Sequence, residues 1–343
     1  MINNISLLIH GPYSGNILPI ISENIQRSKI KITKIIFVIY TIDKDKYLHD
    51  IEKYFKNFNT KIIYVKDLIN PGPFNINRQI LSVRKGLELC NDDEFIIKLR
   101  NDQSINFNNL IKIIKKYNMF LNLEEHKILT TCSFSRKDRF YHPSDMFLCG
   151  FANELKDYYN LELQKDTAFS IELKIIELNE KSNYKLKFSP ISAECILFKN
   201  YLIKKGYNIQ NTYEDSYNSI KKFCYIVNTW NINLIWSKKR TNMFKENSII
   251  LPHYFVTAPF PGAPIEKHEC WLEHEIFDKK PTIKDRYYIF LSKFVWYMWE
   301  GNINGVNSKF NSIKNKNIFN KICNFIFSMR SLENKIILTL FGF

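Results

Sequence analysis

The segment Ile96–Gln103 reads IIKLRNDQ, an apolar run that ends with Lys98, Arg100 and Asp102 close together. A carboxylate just past a strand end can hold Mg²⁺ or Mn²⁺ against a diphosphate, which makes Asp102 the first candidate metal ligand. Arg100 or Lys98 would neutralise the same diphosphate or pair with Asp102. Asn101 and Gln103 offer neutral hydrogen bonds to a sugar. A purely structural arginine–aspartate pair closing the strand is the competing reading, and the residues alone leave the two open.

Other segments carry similar chemistry. His10-Gly11-Pro12 opens HGPYSGN, a short glycine-containing stretch that lets backbone approach a nucleotide, with a helix start at Asn16 facing phosphate. Asp43 follows a second apolar run. Asn77-Arg78-Gln79 opens a helical pattern before IIKLRNDQ and can reach the same place, or form a solvated first turn. In FYHPSDMFLCG, His142 and Asp145 supply a base or a phosphate contact, unless Ser144 or Asp145 merely caps a following helix. Glu194 near a helix start is either a general base for an acceptor hydroxyl or a favourable charge on the helix dipole. His253, in LPHYFVTAPFPGAP, is a late candidate to complete a metal shell. His268 and His274 in HECWLEH are six apart, do not share a helical face, and read as surface residues.

The elements that must position these residues follow from periodicity. Apolar runs at 5–10, 35–40, 62–65, 95–99 and 128–132 predict strands. Amphipathic helical patterns stand between them. Asn16 is expected to cap the first helix, with Pro19 in its first turn, and Tyr47 to Phe58 marks the second. Strands apolar along their whole length, separated by helices, mean an α/β fold with a mostly parallel sheet covered on both faces. Such sheets bind ligands beyond the carboxyl ends of their strands, so the ends at His10, Asp43 and Arg100 are expected to meet in one crevice. Helical patterns follow at 151–160, 167–179, 193–205 and 213–225. After about residue 286 the chain turns aromatic and basic.

Composition narrows the partners. The 343 residues carry 49 Lys and Arg against 34 Asp and Glu, a formal net charge of +15, which favours anionic partners. The positive charge is dispersed, and no helix-turn-helix, RNA-binding or zinc-finger signature is present, so nucleic acid is a weak reading. There is no GxxxxGK[ST] loop and no GxGxxG after the first strand, which argues against P-loop and ordinary dinucleotide enzymes. Seven cysteines without CxxC spacing suit a reducing compartment. No uncharged apolar run reaches the roughly 18 residues of a membrane span. A cytoplasmic location is expected, at the cytoplasmic face of the inner membrane if the aromatic and basic C-terminal stretch rests on anionic lipid. Packing of that stretch on the sheet domain is the alternative.

Taken together, IHGP after the first strand, NRQILSVRKGL, FIIKLRNDQSI, YHPSDMFLCG and SAECILFKNYL resemble the WavE family of lipopolysaccharide-synthesis proteins, over about residues 6 to 206. The resemblance implies a GT-A-like nucleotide-sugar domain over 1–285, its nucleotide-binding half at 1–135 and acceptor half at 136–285. A helical C-terminal region would then occupy 286–343. It implies transfer of a sugar from a nucleotide-sugar donor to a glycan or lipid-linked acceptor of a bacterial surface polysaccharide, lipopolysaccharide or capsule. The residues allow two alternatives: a CDP-linked phosphoalditol or sugar-phosphate transferase, and a non-catalytic glycan- or nucleotide-binding protein. Arg100, Asp102 and Gln103 fall where many GT-A enzymes carry a DxD metal motif. Here the first acidic position is Arg100, so dependence on Mn²⁺ or Mg²⁺ stays open.

Overall fold

The computed structural model describes residues 5–13, 17–117, 119, 127–137, 139–165, 192–236, 251–252 and 270–290. Asn16, the helical pattern at 167–179, His253, His268 and the C-terminal region beyond 290 lie outside the described residues.

The predicted alternation is present. In chain order, the first half runs β1 (Ile5–His10), α1 (Leu18–Gln26), β2 (Ile32–Tyr40), α2 (Lys44–Phe55), β3 (Thr60–Val65), α3 (Ile76–Leu87) and β4 (Phe95–Arg100). Then come β5 (Gln103–Ser104), α4 (Phe107–Lys116), β6 (Ile128–Thr131), β7 (Leu148–Phe151), α5 (Ala152–Tyr159), α6 (Ala193–Lys204), α7 (Tyr213–Phe223) and β8 (Cys224–Val227). Short pieces β9 (Ile235–Trp236), β10 (Leu251–Pro252) and α8 (Glu273–Ile276) follow, and a further helix covers 283–290.

A seven-stranded sheet has the order β3-β2-β1-β4-β7-β6-β8. Its pairs are parallel except where β7 runs antiparallel between β4 and β6. A second sheet of three strands joins β10, β9 and β5. Alternate side chains of each strand enter opposite cores. Leu8, Ile36, Val38 and Ile96 join α3, α5 and α6 on one face. Leu7, Ile9, Phe37, Ile39, Ile97 and Leu99 join α1, α2 and α4 on the other. Both faces are covered, which is why these strands read as unbroken apolar runs. By the same parity His10, Lys98 and Arg100 project to the α3 side.

Two local expectations are corrected. The residues after Asp145 form β7 rather than a helix, so neither Ser144 nor Asp145 is a helix cap. The pattern at 213–225 is a helix only to Phe223; Cys224 and Tyr225 begin β8 without an intervening loop. The second helix stops at Phe55, and Phe58 packs beyond it against Phe55, with ring centroids 5.9 Å apart. The six described cysteines are buried.

Helix α3 is seated on β1 through Gly86. A Cβ built there would lie 2.1 Å from Leu8 Cδ1 and 3.1 Å from Val38 Cγ2, both fully buried residues. Gly86→Ala is therefore expected to destabilise the protein by ~1–3 kcal/mol despite the better helix propensity of alanine. Urea denaturation checks this; an unchanged or higher midpoint would show that α3 does not pack this closely.

Candidate functional site

The carboxyl ends of β1, β2 and β4 open on one cavity of about 510 Å³. His10, Gly11 and Pro12 line it from β1, Ile42 and Asp43 from the turn after β2, and Arg100 from the end of β4. Arg78, Gln79 and Ser82 reach it from α3. The strand-end rule thus brings the three expected segments together.

The opposite wall comes from the second half. Since β7 is antiparallel, the segment preceding it stands at the ligand edge, and it supplies His142, Asp145 and Met146. Ser192, Ala193 and Glu194 form the amino end of α6 at the same wall. Ser192 caps that helix by accepting from Cys195 N at 3.2 Å.

Several candidates sit elsewhere. Asn77 is buried and clamps a loop: its Nδ2 donates to Gln164 O at 2.8 Å and its Oδ1 accepts from Gln164 N at 2.7 Å. Asn101 donates to Pro12 O and Tyr47 Oη, fixing the turn after β1, where Gly11 has φ +117° and a Cβ would come 3.3 Å from Asn101 Oδ1. Gln103 is fully buried in β5, and neither side-chain amide atom has a partner. Lys98 lies beneath the cavity, its ammonium bonded to the carbonyls of Asp145 and Met146. Asp102 is not on the cavity wall; it accepts Arg100 Nε at 3.1 Å and Nη2 at 2.9 Å. The structural Arg–Asp pair that the sequence allowed is present, and its arginine lines the cavity while Asp102 does not.

Sequence reasoning missed several contributors, two arginines among them. Phe134, Arg136 and Arg139 line the cavity from the loop after β6, and Asp67 lines it from the segment after β3. SRKDRF follows a strand whose carboxyl end points to the same edge, so the strand-end rule applied once more would have found both arginines. Backbone strain concentrates here too. Phe74, Asn75 and Phe134 line the cavity with φ of +53°, +62° and +67°, and Tyr141, beside His142, has φ +55°. Non-glycine residues adopt this region at a cost and collect at functional sites.

The ionisable groups are tuned by burial. Asp145 is pushed up to about 6, first by desolvation and then by the charge of Glu194, with Lys98 opposing. His142 Nδ1 donates to Phe134 O at 2.9 Å, which turns Nε2 toward Glu194 Oε2 at 3.5 Å. His10 is held neutral by desolvation and by the charges of Lys98 and Arg100. Its Nδ1 lies 2.9 Å from Ser82 Oγ, and Nε2 is buried without a protein partner.

A divalent cation fits the described residues poorly. Arg100 stands at the first position of the acidic motif, and its guanidinium occupies both oxygens of Asp102. Among the described residues no group of three or more His, Cys, Asp or Glu is placed to hold a metal.

The chain belongs to the WavE lipopolysaccharide synthesis family: that family's model matches residues 59–241, more than half of the 343 residues. The matched span holds every cavity residue except those from β1, β2 and the turn after it. No curated protein matches the chain. Solved structures with some likeness include 4-diphosphocytidyl-2C-methyl-D-erythritol synthase from Anaerococcus prevotii, at 14% identity and TM-score 0.32, covering 66% of this chain and 86% of that one. S. aureus TarS 1–349 is similar at 15% identity and TM-score 0.31, over 45% of this chain and 48% of that one. The mannosyltransferase PcManGT from Pyrobaculum calidifontis, solved with GDP-Man and Mn²⁺, is similar at 9% identity and TM-score 0.32, over 45% of each chain. The chain thus spans about half the length of the latter two. Among the described residues no helix is long and apolar enough to cross a membrane.

The tuning of Asp145 has a stability consequence. Its folded pKa lies above the ordinary 3.8, so folding binds the proton more tightly than the unfolded chain does. Stability falls as pH rises through that window, and the full penalty is present above about 6. Asp145→Asn is expected to raise stability at neutral pH by ~1–3 kcal/mol, with the gain fading below about pH 4. Chemical denaturation at both pH values checks this; a loss at neutral pH would mean that the carboxylate is not under strain.

Proposed function

We propose that the protein is a glycosyltransferase that moves a sugar from a nucleotide-sugar donor to a glycan or lipid-linked acceptor during synthesis of a bacterial surface polysaccharide. The observation that carries this reading is one cavity lined by Arg78, by Arg100 at the end of β4, by the buried carboxylate of Asp145 and by the His142–Glu194 pair. Membership of a lipopolysaccharide-synthesis family supports it.

In this reading the donor diphosphate lies against Arg78 and Arg100, and Gly11 and Pro12 allow backbone to approach the nucleotide. The acceptor hydroxyl lies toward Asp145. Its oxygen attacks the anomeric carbon, the bond from that carbon to the diphosphate breaks, and the nucleoside diphosphate leaves with the electron pair. The guanidinium groups stabilise the negative charge that develops on the leaving group. Asp145 takes the hydroxyl proton. A carboxylate with a pKa near 6 is a stronger base than an ordinary aspartate and is still ionised at neutral pH. The Glu194–His142 pair acts beside it, and Glu194 is one source of the raised basicity.

Turnover on a panel of nucleotide sugars tests this. Release of a nucleoside diphosphate is expected; release of a nucleoside monophosphate would instead mean sugar-phosphate transfer, and binding without release would mean a non-catalytic protein. The rate should rise with pH through about 6. Asp145→Asn should lower kcat by about 10²- to 10⁴-fold and abolish that rise. Glu194→Gln removes a charge that raises the Asp145 pKa, so the rise should move to lower pH. Loss of the rise in Glu194→Gln alone would transfer the role of base to Glu194.

A further inference from the structure

We infer that this cavity grips the donor diphosphate with arginine forks, without a divalent cation. The inference rests on the reading of the cavity as a nucleotide-sugar site. Arg78, Arg100, Arg136 and Arg139 all line it. Arg136 is 1% exposed.

Two of the four are aimed by carboxylates in the same manner. Arg78 gives Nε and Nη2 to Asp67, both at 2.7 Å, and Nη1 to Asn75 Oδ1 at 2.9 Å. Arg100 gives Nε and Nη2 to Asp102 at 3.1 and 2.9 Å. A guanidinium has five N–H donors in one plane. Committing the Nε edge to a carboxylate fixes that plane and leaves donors for a ligand: three N–H groups of Arg100 by the bonds given, and two of Arg78, whose Nη1 also serves Asn75. Two phosphate groups match such forks in charge and geometry. Asp67 and Asp102 are then positioning residues for arginines, and Asp102 is not a metal ligand.

Among the described residues the remaining wall carboxylates form no group of three or more His, Cys, Asp or Glu placed to hold a metal. Asp43 accepts from Tyr13 N at 3.1 Å, and Glu194 faces His142. His10 pairs with Arg100 in the β1–β4 register. Its Nε2 is buried without a protein partner. Donor binding is thus carried by side chains already fixed in the protein.

Calorimetric titration of the full-length protein with UDP, GDP and CDP, in excess EDTA and then with Mn²⁺, tests this. One of the three is expected to bind in EDTA, with affinity changed by less than about threefold on adding Mn²⁺. Arg100→Lys keeps the charge but loses the fork. It should weaken that nucleotide by about tenfold or more while leaving binding of the matching phosphate-free nucleoside unchanged. Binding only with Mn²⁺, or strengthened more than about tenfold by it, would overturn the inference and leave the nucleotide-sugar reading standing. Failure of all three to bind under both conditions would overturn that reading itself. The metal comparison uses the unaltered protein and so does not depend on the variant folding.

Discussion

The site depends on a buried cation. Lys98 sits on the middle strand of the sheet with no exposure to solvent, and its ammonium bonds the carbonyls of Asp145 and Met146. Burial drives its pKa down to about 8, while the Asp145 charge pulls the other way. An ammonium at that depth is tolerable only when carbonyls satisfy it, and carbonyls gathered around a charge cannot wander. The bond therefore pins the segment before β7 to the end of β4. It extends the β4–β7 ladder, whose last pair is Lys98 and Leu148, to the residues that line the second wall. The residue most exposed to this constraint is Asp145, whose side chain enters the cavity while its own carbonyl holds the lysine.

Strand direction does the rest. A purely parallel sheet presents only the loops that follow its strands at the ligand edge. Inserting β7 antiparallel between β4 and β6 brings a preceding segment to that edge as well. His142 and Asp145 arrive by that route. Glu194 arrives separately, at the amino end of α6, which packs against α5 on the same face. Arg78 and Arg100 thus come from one half of the chain, and His142, Asp145 and Glu194 from the other.

The first half of the fold was legible because its signals are long. Each of β1, β2 and β4 is buried over six or more residues, or nearly so, and each is separated from the next by a helix with a clear apolar stripe. The second half was less so, for a physical reason. Strands β7 and β8 have four residues each and run directly into or out of helices, which leaves neither a period nor a turn to read. The strand-end rule points to His10, Asp43 and Arg100, the start of a helical pattern points to Arg78, and the same rule applied to β6 points to Arg136 and Arg139. Polar residues next to the site were harder to sort. Asn77, Asn101 and Lys98 look like binding groups in sequence, yet each spends its hydrogen bonds on protein carbonyls. Only three-dimensional neighbours distinguish a group that holds a ligand from one that holds a loop.

A crystal structure with a bound nucleoside diphosphate tests the central claim most directly. The account predicts phosphate oxygens within hydrogen-bond distance of Arg100 and at least one of Arg78, Arg136 and Arg139, with the base near Gly11 and Pro12 and the space before Asp145 left for sugar and acceptor. A nucleotide seated away from the ends of β1 and β4, or phosphates with no arginine beside them, would contradict it.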